Sequence, residues 1–381
     1  MRDAVIVEAM RTPVGKRGGG LSTVEPVDLS AVILSALVDH SGLDPAEVDD
    51  VIWGCVGQVG EQSVDIGRNA VLAAGWPESI PGVTVDRQCG SSQQSVHFAA
   101  AGLVAGHYDL VVAGGVESMS RVPMGSQTNG QWPYGEGFIR RYGPEAPNQG
   151  LGAEMIAERW GLTRIQLDEF SLASHAKAAV AQDQGSFDAE IVPVVGADGV
   201  KVVADEGVRR GGTVERLGAL APVFRPDGVV TAGNASQISD GASAVLMTTS
   251  ERAAELGLRP IARVHTAVVV GSDPIIMLTG PIPATAKALD RSGLSLDDIG
   301  VFEVNEAFAS VPLAWLHETG ADPARVNPNG GAIAVGHPLG GSGTRLMTTM
   351  VHHMRSAGIR YGLQVMCEGG GQANATILEL L

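Results

Sequence analysis

Four stretches of this 381-residue chain place reactive side chains where a backbone could aim them. Cys89 stands in Val85-Asp86-Arg87-Gln88-Cys89-Gly90-Ser91-Ser92, where a strand pattern gives way to a helix pattern. A thiol at a helix N-terminus faces unpaired amides and the positive end of the helix dipole, which favours thiolate and lowers the pKa. Cys367 closes another strand pattern and precedes Glu368-Gly369-Gly370-Gly371. There the backbone can approach a ligand closely, and its amides can serve an oxyanion. For each cysteine, a small buried core residue is the competing reading. His337 lies in Asn327-Pro328-Asn329-Gly330-Gly331-Ala332-Ile333-Ala334-Val335-Gly336-His337-Pro338-Leu339-Gly340, where glycines clear space around the imidazole. Asn305 and Glu306 end the strand pattern Val301 to Val304. Open α/β sheets place ligands at such strand ends, although a simple cap is the alternative.

The elements that must hold these residues alternate. Strand patterns at Val5–Ala9, Asp50–Val56, Val83–Asp86 and Asp109–Gly114 flank helix patterns at Leu29–His40, Asp65–Ala74 and Ser91–Ala105. This order predicts an α/β sheet covered on both faces. It then returns. Ile261–His265 opens a second set, followed by a helix over Ala284–Arg291, a strand over Val301–Asn305, a helix over Thr344–Ala357 and a strand over Tyr361–Met366. Ser41-Gly42-Leu43 reappears as Ser292-Gly293-Leu294, and the glycines after the long helices, Gly106 and Gly358, keep nearly the same offset. An internal duplication accounts for both matches. Between the halves, Arg121–Asn148 is rich in Gly, Pro, Asn and Gln, and carries Trp132, Tyr134, Phe138 and Tyr142. Helices over Ala153–Trp160 and Gln166–Gln184 follow, then a loop with Arg209-Arg210. An insertion this long is expected to cover a ligand site.

Composition narrows the function. Formal net charge is −16, with no basic run, so nucleic acid is not an expected partner and any anionic ligand needs local donors. Three widely spaced cysteines exclude a disulfide framework and a four-Cys zinc site, and fit a cytoplasmic location. No apolar stretch is long enough to span a membrane, and the N-terminus does not read as a signal peptide. The 51 glycines gather beside short apolar runs, and the aromatic content of 4% implies an aliphatic, tightly packed core.

The Cys89 turn, Asn305-Glu306-Ala307-Phe308-Ala309, the His337 loop and Cys367-Glu368-Gly369-Gly370-Gly371 together resemble a thiolase. So do Glu8-Ala9-Met10-Arg11-Thr12-Pro13-Val14-Gly15-Lys16 and Thr231-Ala232-Gly233-Asn234-Ala235-Ser236-Gln237-Ile238-Ser239-Asp240-Gly241-Ala242, so the likeness covers essentially the whole chain. It implies a layered αβαβα fold of two duplicated halves, residues 1–117 with 238–260 and residues 261–381, with an inserted loop domain over residues 118–237.

It also implies roles. Cys89 would carry the acyl group, His337 would make its thiolate, and Cys367 would shuttle a proton. Asn305 would hold a water that forms one oxyanion hole with His337, and the amides of Cys89 and Gly369 would form the other. Arg209 would meet the nucleotide end of coenzyme A and Ser236 its pantetheine, with Phe224, Met277 and Phe308 along the acyl channel. Cleaving a 3-ketoacyl-CoA needs a nucleophile, two sites for negative charge, and a base and an acid, and this set supplies them without a metal or prosthetic group. Related condensing enzymes resemble Cys-His-His or Cys-His-Glu sets, so Cys367 before three glycines favours thiolase. The expected activity is 3-ketoacyl-CoA thiolase or acetyl-CoA acetyltransferase in a homodimer or homotetramer, with acyl-CoA and coenzyme A as substrates. A biosynthetic acetoacetyl-CoA thiolase and a non-catalytic acyl-CoA or lipid carrier are the alternatives. Short-chain biosynthetic relatives carry His-Met where this chain has Asn148-Gln149, which points to a pocket shaped for larger acyl groups, and the Glu after Cys367 resembles actinobacterial thiolases, including some of steroid degradation.

Overall fold

Residues 2–381 are described by a computed structural model. Twelve strands form: β1 (Val5–Arg11), β2 (Gly15–Lys16), β3 (Asp50–Gly54), β4 (Gly82–Val85), β5 (Leu110–Ser118), β6 (Val194–Val195), β7 (Lys201–Val202), β8 (Ser239–Thr248), β9 (Ala262–Gly271), β10 (Val301–Val304), β11 (Tyr361–Glu368) and β12 (Gln372–Leu380). Ten share one mixed sheet, in the order β10-β11-β12-β9-β1-β8-β5-β3-β4, with β2 paired to β8. The duplication is visible in this order. On one side β1, β8, β5 and β3 pair antiparallel, antiparallel and parallel. On the other, β9, β12, β11 and β10 pair in the same sequence of senses. The halves join where β1 meets β9, Val5 opposite Arg263 and Ile6 opposite Ala262.

The helices Ser91–Ala105 and Ser342–Ala357 lie between the two halves of the sheet, in a core that includes Val96, Leu103, Met347, Met350, Val111, Val245 and Leu378. Each ends at a glycine in the left-handed region, Gly106 and Gly358, where a side chain would be strained. Helices Pro26–Ser41 and Ile66–Ala73 cover the outer face of the first half, and Pro281–Ser292 with Ser310–Thr319 that of the second. The result is five alternating layers, helix on sheet on helix on sheet on helix.

Most expected elements are present within one to four residues at their ends. Strands β8 and β12 and the helix Ser310–Thr319 had no counterpart in the sequence reading. The cause is burial: every residue of β8 is buried, so it shows no alternation, and its Ser-Asp-Gly-Ala-Ser-Ala start is too small and polar to look like a strand. The two central helices meet at their first turns. The Thr344 N–H donates to Ser92 Oγ at 3.0 Å, and a Cβ on Gly343 would run into the Gln93 backbone. Ser92 and Thr344 are 252 residues apart, the same spacing as Gly106 and Gly358, so the duplicated helices touch at matching positions.

Candidate active site

Cys89 occupies a tight turn between β4 and the helix Ser91–Ala105. Gln88 takes φ 50°, in the left-handed region, and the Ser91 hydroxyl closes the turn by donating to the Gln88 carbonyl at 2.6 Å. Such backbone strain in a non-glycine residue persists only where the surroundings enforce it. The thiol is buried with Val56, Met119, Leu339, Leu346 and Met366. Here the expectation of a lowered pKa is overturned. Burial, followed by the neighbouring Cys367 and Glu368, pushes the Cys89 thiol well above its ordinary value. Cys89 precedes the cap Gly90, so the helix amides act on it weakly, while loss of water acts in full.

The end of β11 lies directly against this turn. A Cβ on Gly90 would run into the Glu368 carboxylate, and one on Gly369 would stand 2.7 Å from Gln88 Oε1. Cys367 is fully buried, and burial pushes its thiol up to about 12, while the Asn305 carboxamide pulls partly the other way. Asn305 follows β10, and neither its Oδ1 nor its Nδ2 has a hydrogen-bond partner among the described residues. A buried amide with both ends free is costly unless something else meets it.

His337 is buried, and burial with the nearby Arg345 charge holds its imidazole down to about 3, so it is neutral. Its Nδ1 lies 2.6 Å from Ser342 Oγ, and that hydroxyl also reaches the Pro338 carbonyl at 2.8 Å. The hydroxyl has one proton and the carbonyl only accepts. Ser342 therefore donates to Pro338 and accepts from Nδ1–H, leaving Nε2 as a bare base without a partner among the described residues. The backbone before it is held by Gly336 at φ 116°, where a Cβ would stand 2.5 Å from Ser239 Oγ, and Ser239 Oγ accepts the His337 N–H at 3.0 Å.

Two buried carboxylates set these loops. Glu117, at the end of β5, accepts from the N–H groups of Val56, Gly57 and Gly340 at 3.0, 2.9 and 2.8 Å and from Gln62 Nε2 at 2.7 Å. It so joins the loop after β3 to the His337 loop. Glu306 accepts from Ser174 Oγ at 2.6 Å, Asn327 Nδ2 at 2.8 Å and the Ile333 N–H at 3.2 Å. It is thus more than a strand-end cap: it binds the Asn305 strand to the His337 loop and to helix Arg164–Asp183. Burial raises the pKa of both, and the donated hydrogen bonds oppose it.

The remaining candidates separate into an inner and an outer group. Phe224, Met277 and Phe308 share one apolar cluster with Cys367, and Phe224 meets Phe308 edge-to-face with centroids 6.0 Å apart. Met277 takes φ 59° and is buried, a second strained residue at the site. Ser236 is half-buried; its N–H donates to the Ala307 carbonyl at 2.9 Å, stitching it beside Phe308. Arg209 lies outside this cluster, exposed, and its guanidinium makes no hydrogen bond among the described residues, whereas Arg210 is taken up by Asp183 at 2.7 Å. Asn148 is exposed and sits at a helix N-terminus. Its Oδ1 caps the helix Gln149–Arg159, accepting from Gly150 and Leu151 N–H, and it is Gly150 that abuts the Phe224 ring.

The sequence reading missed Glu117, Ser342 and Gln237. Gln237 Nε2 reaches the carbonyls of Gly207, Ile333 and Ala334, at 3.0, 2.8 and 3.1 Å, and so ties the Arg209 loop to the His337 loop. For Glu117 a signal existed, one acid inside the otherwise apolar or small stretch Leu110–Ser118.

Comparison with known proteins shows the family. Residues 4–251 match the thiolase N-terminal domain model and residues 258–380 the thiolase C-terminal domain model. The chain is 50% identical to the steroid 3-ketoacyl-CoA thiolase FadA6 of Mycobacterium tuberculosis, over 100% of this chain and 95% of that protein. It is 45% identical to a 3-ketoacyl-CoA thiolase of Pseudoalteromonas translucida, over 100% and 99%. The crystal structure of the Bacillus anthracis acetyl-CoA acetyltransferase superposes with a TM-score of 0.92 at 38% identity, covering 100% of this chain and 99% of that one.

The Glu117 clamp yields a stability test. Glu117→Ala leaves three buried backbone amides without their acceptor, at about 1–3 kcal/mol each. Denaturant unfolding is expected to show a loss of about 3 kcal/mol or more; a loss under about 1 kcal/mol would mean the loops re-pair without it.

Proposed function

The chain belongs to the thiolase family, and from that premise we propose that it cleaves a 3-ketoacyl-CoA with coenzyme A through an acyl group carried on Cys89. The observation that carries the reading is a buried neutral thiol and a buried neutral imidazole with a bare Nε2, each just before one of two helices whose first turns touch.

Charge is scarce at rest, so the thiolate forms only as the reaction needs it. His337 Nε2 takes the Cys89 proton, and the sulfur attacks the 3-keto carbon. The oxyanion of that adduct is held by the new imidazolium N–H together with an Asn305-bound water, or by the amides of Cys89 and Gly369. The bond between carbons 2 and 3 then breaks. Its electrons leave as the enolate of acetyl-CoA or another short acyl-CoA, and the Cys367 thiol protonates that carbon. The Cys367 thiolate next takes the proton of incoming coenzyme A, whose sulfur displaces the acyl group from Cys89, and the leaving Cys89 thiolate takes its proton back from His337. Each donor is fixed in advance in a site from which water is largely excluded, which is where electrostatic stabilisation is strongest. The reverse run of these steps is a Claisen condensation.

Residues 118–237 serve in this reading as the loop domain that covers coenzyme A. Arg209 offers its unpaired guanidinium to the nucleotide end, Ser236 lines the pantetheine path, and Phe224, Met277 and Phe308 line the acyl channel beside Cys367. The protein carries −16, so an anionic ligand depends on such local cations.

Three measurements test the proposal. Mass spectrometry after mixing with an acyl-CoA should show one acyl adduct on Cys89, and Cys89→Ala should abolish both adduct and thiolysis; an adduct on Cys367 would reverse the roles. Arg209→Ala should raise the KM for coenzyme A about tenfold with little change in kcat, the pattern of lost uniform binding. An unchanged KM would move that role elsewhere. Thiolysis of acetoacetyl-CoA and of a bulky 3-ketoacyl-CoA at one coenzyme A concentration should give the higher kcat/KM to the bulky substrate. At the channel end the helix presents Gly150, not a side chain, to Phe224, and each extra buried CH₂ is worth about 0.8 kcal/mol. A clear preference for acetoacetyl-CoA would end that reading.

A further inference from the structure

Glu368 separates the two cysteine-bearing segments and has no part in the steps above. Its side chain is fully buried, and neither carboxylate oxygen closes a hydrogen bond among the described residues. It packs on Gly90, the residue after Cys89, tightly enough that a Cβ there would clash, and it follows Cys367 in the chain. The groups facing it can be named. Asp86 and Arg87 belong to the turn after β4, which also bears Cys89. Cys367 is on its own strand. From β12 comes Asn374, whose side chain also meets Gln94 and His97 of helix Ser91–Ala105. Arg87 Nη1 is bound to Gln372 Oε1 at 2.9 Å, so that charge is partly engaged elsewhere.

We propose that Glu368 tunes both catalytic sulfurs: as a neutral acid it permits thiolate formation at Cys89, and as a carboxylate it suppresses it. The inference rests on Cys89 being the nucleophile. Glu368 acts through the cysteines and makes or breaks no bond in the steps above. Burial, with Asp86 adding to it, lifts the carboxyl to about 8 against the opposing pull of the Arg87 charge. It is therefore protonated at neutral pH and ionises as the solution passes that value. Its charge then raises the cost of a second negative charge on Cys89 and on Cys367, both of which it pushes up. Glu117 also acts on Cys89, but from its four-donor clamp.

The test is the rate of iodoacetamide alkylation of Cys89 in the intact, substrate-free enzyme, read by peptide mass from about pH 6 to about pH 10. Wild type should climb less steeply above about pH 8 than one thiol ionisation allows. Glu368→Gln has the same shape and no charge. It should match wild type below about pH 7 and run roughly tenfold faster near pH 9, the effect of about one pKa unit. Superimposed profiles, or one constant ratio at every pH, would overturn the proposal and leave Glu368 a packing residue. If Glu368→Gln does not fold, the wild-type curve decides: a single ionisation with no inflection overturns it. An acyl adduct absent from Cys89 would remove the nucleophile assignment while leaving this profile readable, so the two failures are distinct.

Discussion

The first turns of two back-to-back helices cannot move apart without dismantling the site. Gly343 meets the backbone at Gln93, Thr344 N–H is held by Ser92 Oγ, and the Ser92 N–H is in turn donated to the Gly340 carbonyl at 3.2 Å. Cys89 lies just before one helix and His337 just before the other. Fixing the helix starts therefore fixes the separation of thiol and imidazole, though they are 248 positions apart in the chain (337 − 89). Small residues are obligatory at this crossing, and the glycine-rich composition has here a specific cause.

Around that crossing, charge is managed by burial. Arg11 is fully buried between Glu190 at 2.5 Å and Asp205 at 2.7 Å, and Arg345 lies in the same field with Glu303, whose carboxyl burial lifts to about 8. Glu306 and Lys177 act on Glu303 as well, so charges of both signs are packed together out of water. The Arg345 charge that remains is part of what keeps His337 unprotonated. Burial is the first cause of both the neutral imidazole and the neutral thiols, with Arg345 acting further on His337 and Glu368 on the two cysteines.

Much of this was legible in sequence where the pattern is local. The helix Ser91–Ala105 was placed at both ends, because its flanking glycines mark it. The repeated order of elements, the strand ends carrying Asn305 and Cys367, and the glycine-lined His337 could likewise be read. What could not be read depended on partners distant in the chain. Glu117 stands out as one acid in an apolar stretch, but its partners, like those of Gln237, come from loops distant in the chain. The sign of the Cys89 shift needed the burial and the acidic neighbours, which no spacing reveals. The cap role of Asn148 depends on where the next helix begins.

The buried ion cluster has a consequence for how this architecture can be rebuilt. Arg11 belongs to β1, whereas Glu190 and Asp205 belong to the segment between β5 and β8, and Asp205 also takes the Val14 N–H at 2.8 Å. The segment between β5 and β8 is therefore not an insert that can be exchanged at its two junctions alone. A chimera that brings in a foreign segment without matching acids strands a guanidinium in a dry core. One that keeps the acids and changes the strand strands two carboxylates. Modularity here runs along lines of charge, and the unit of exchange is that segment together with the strand β1.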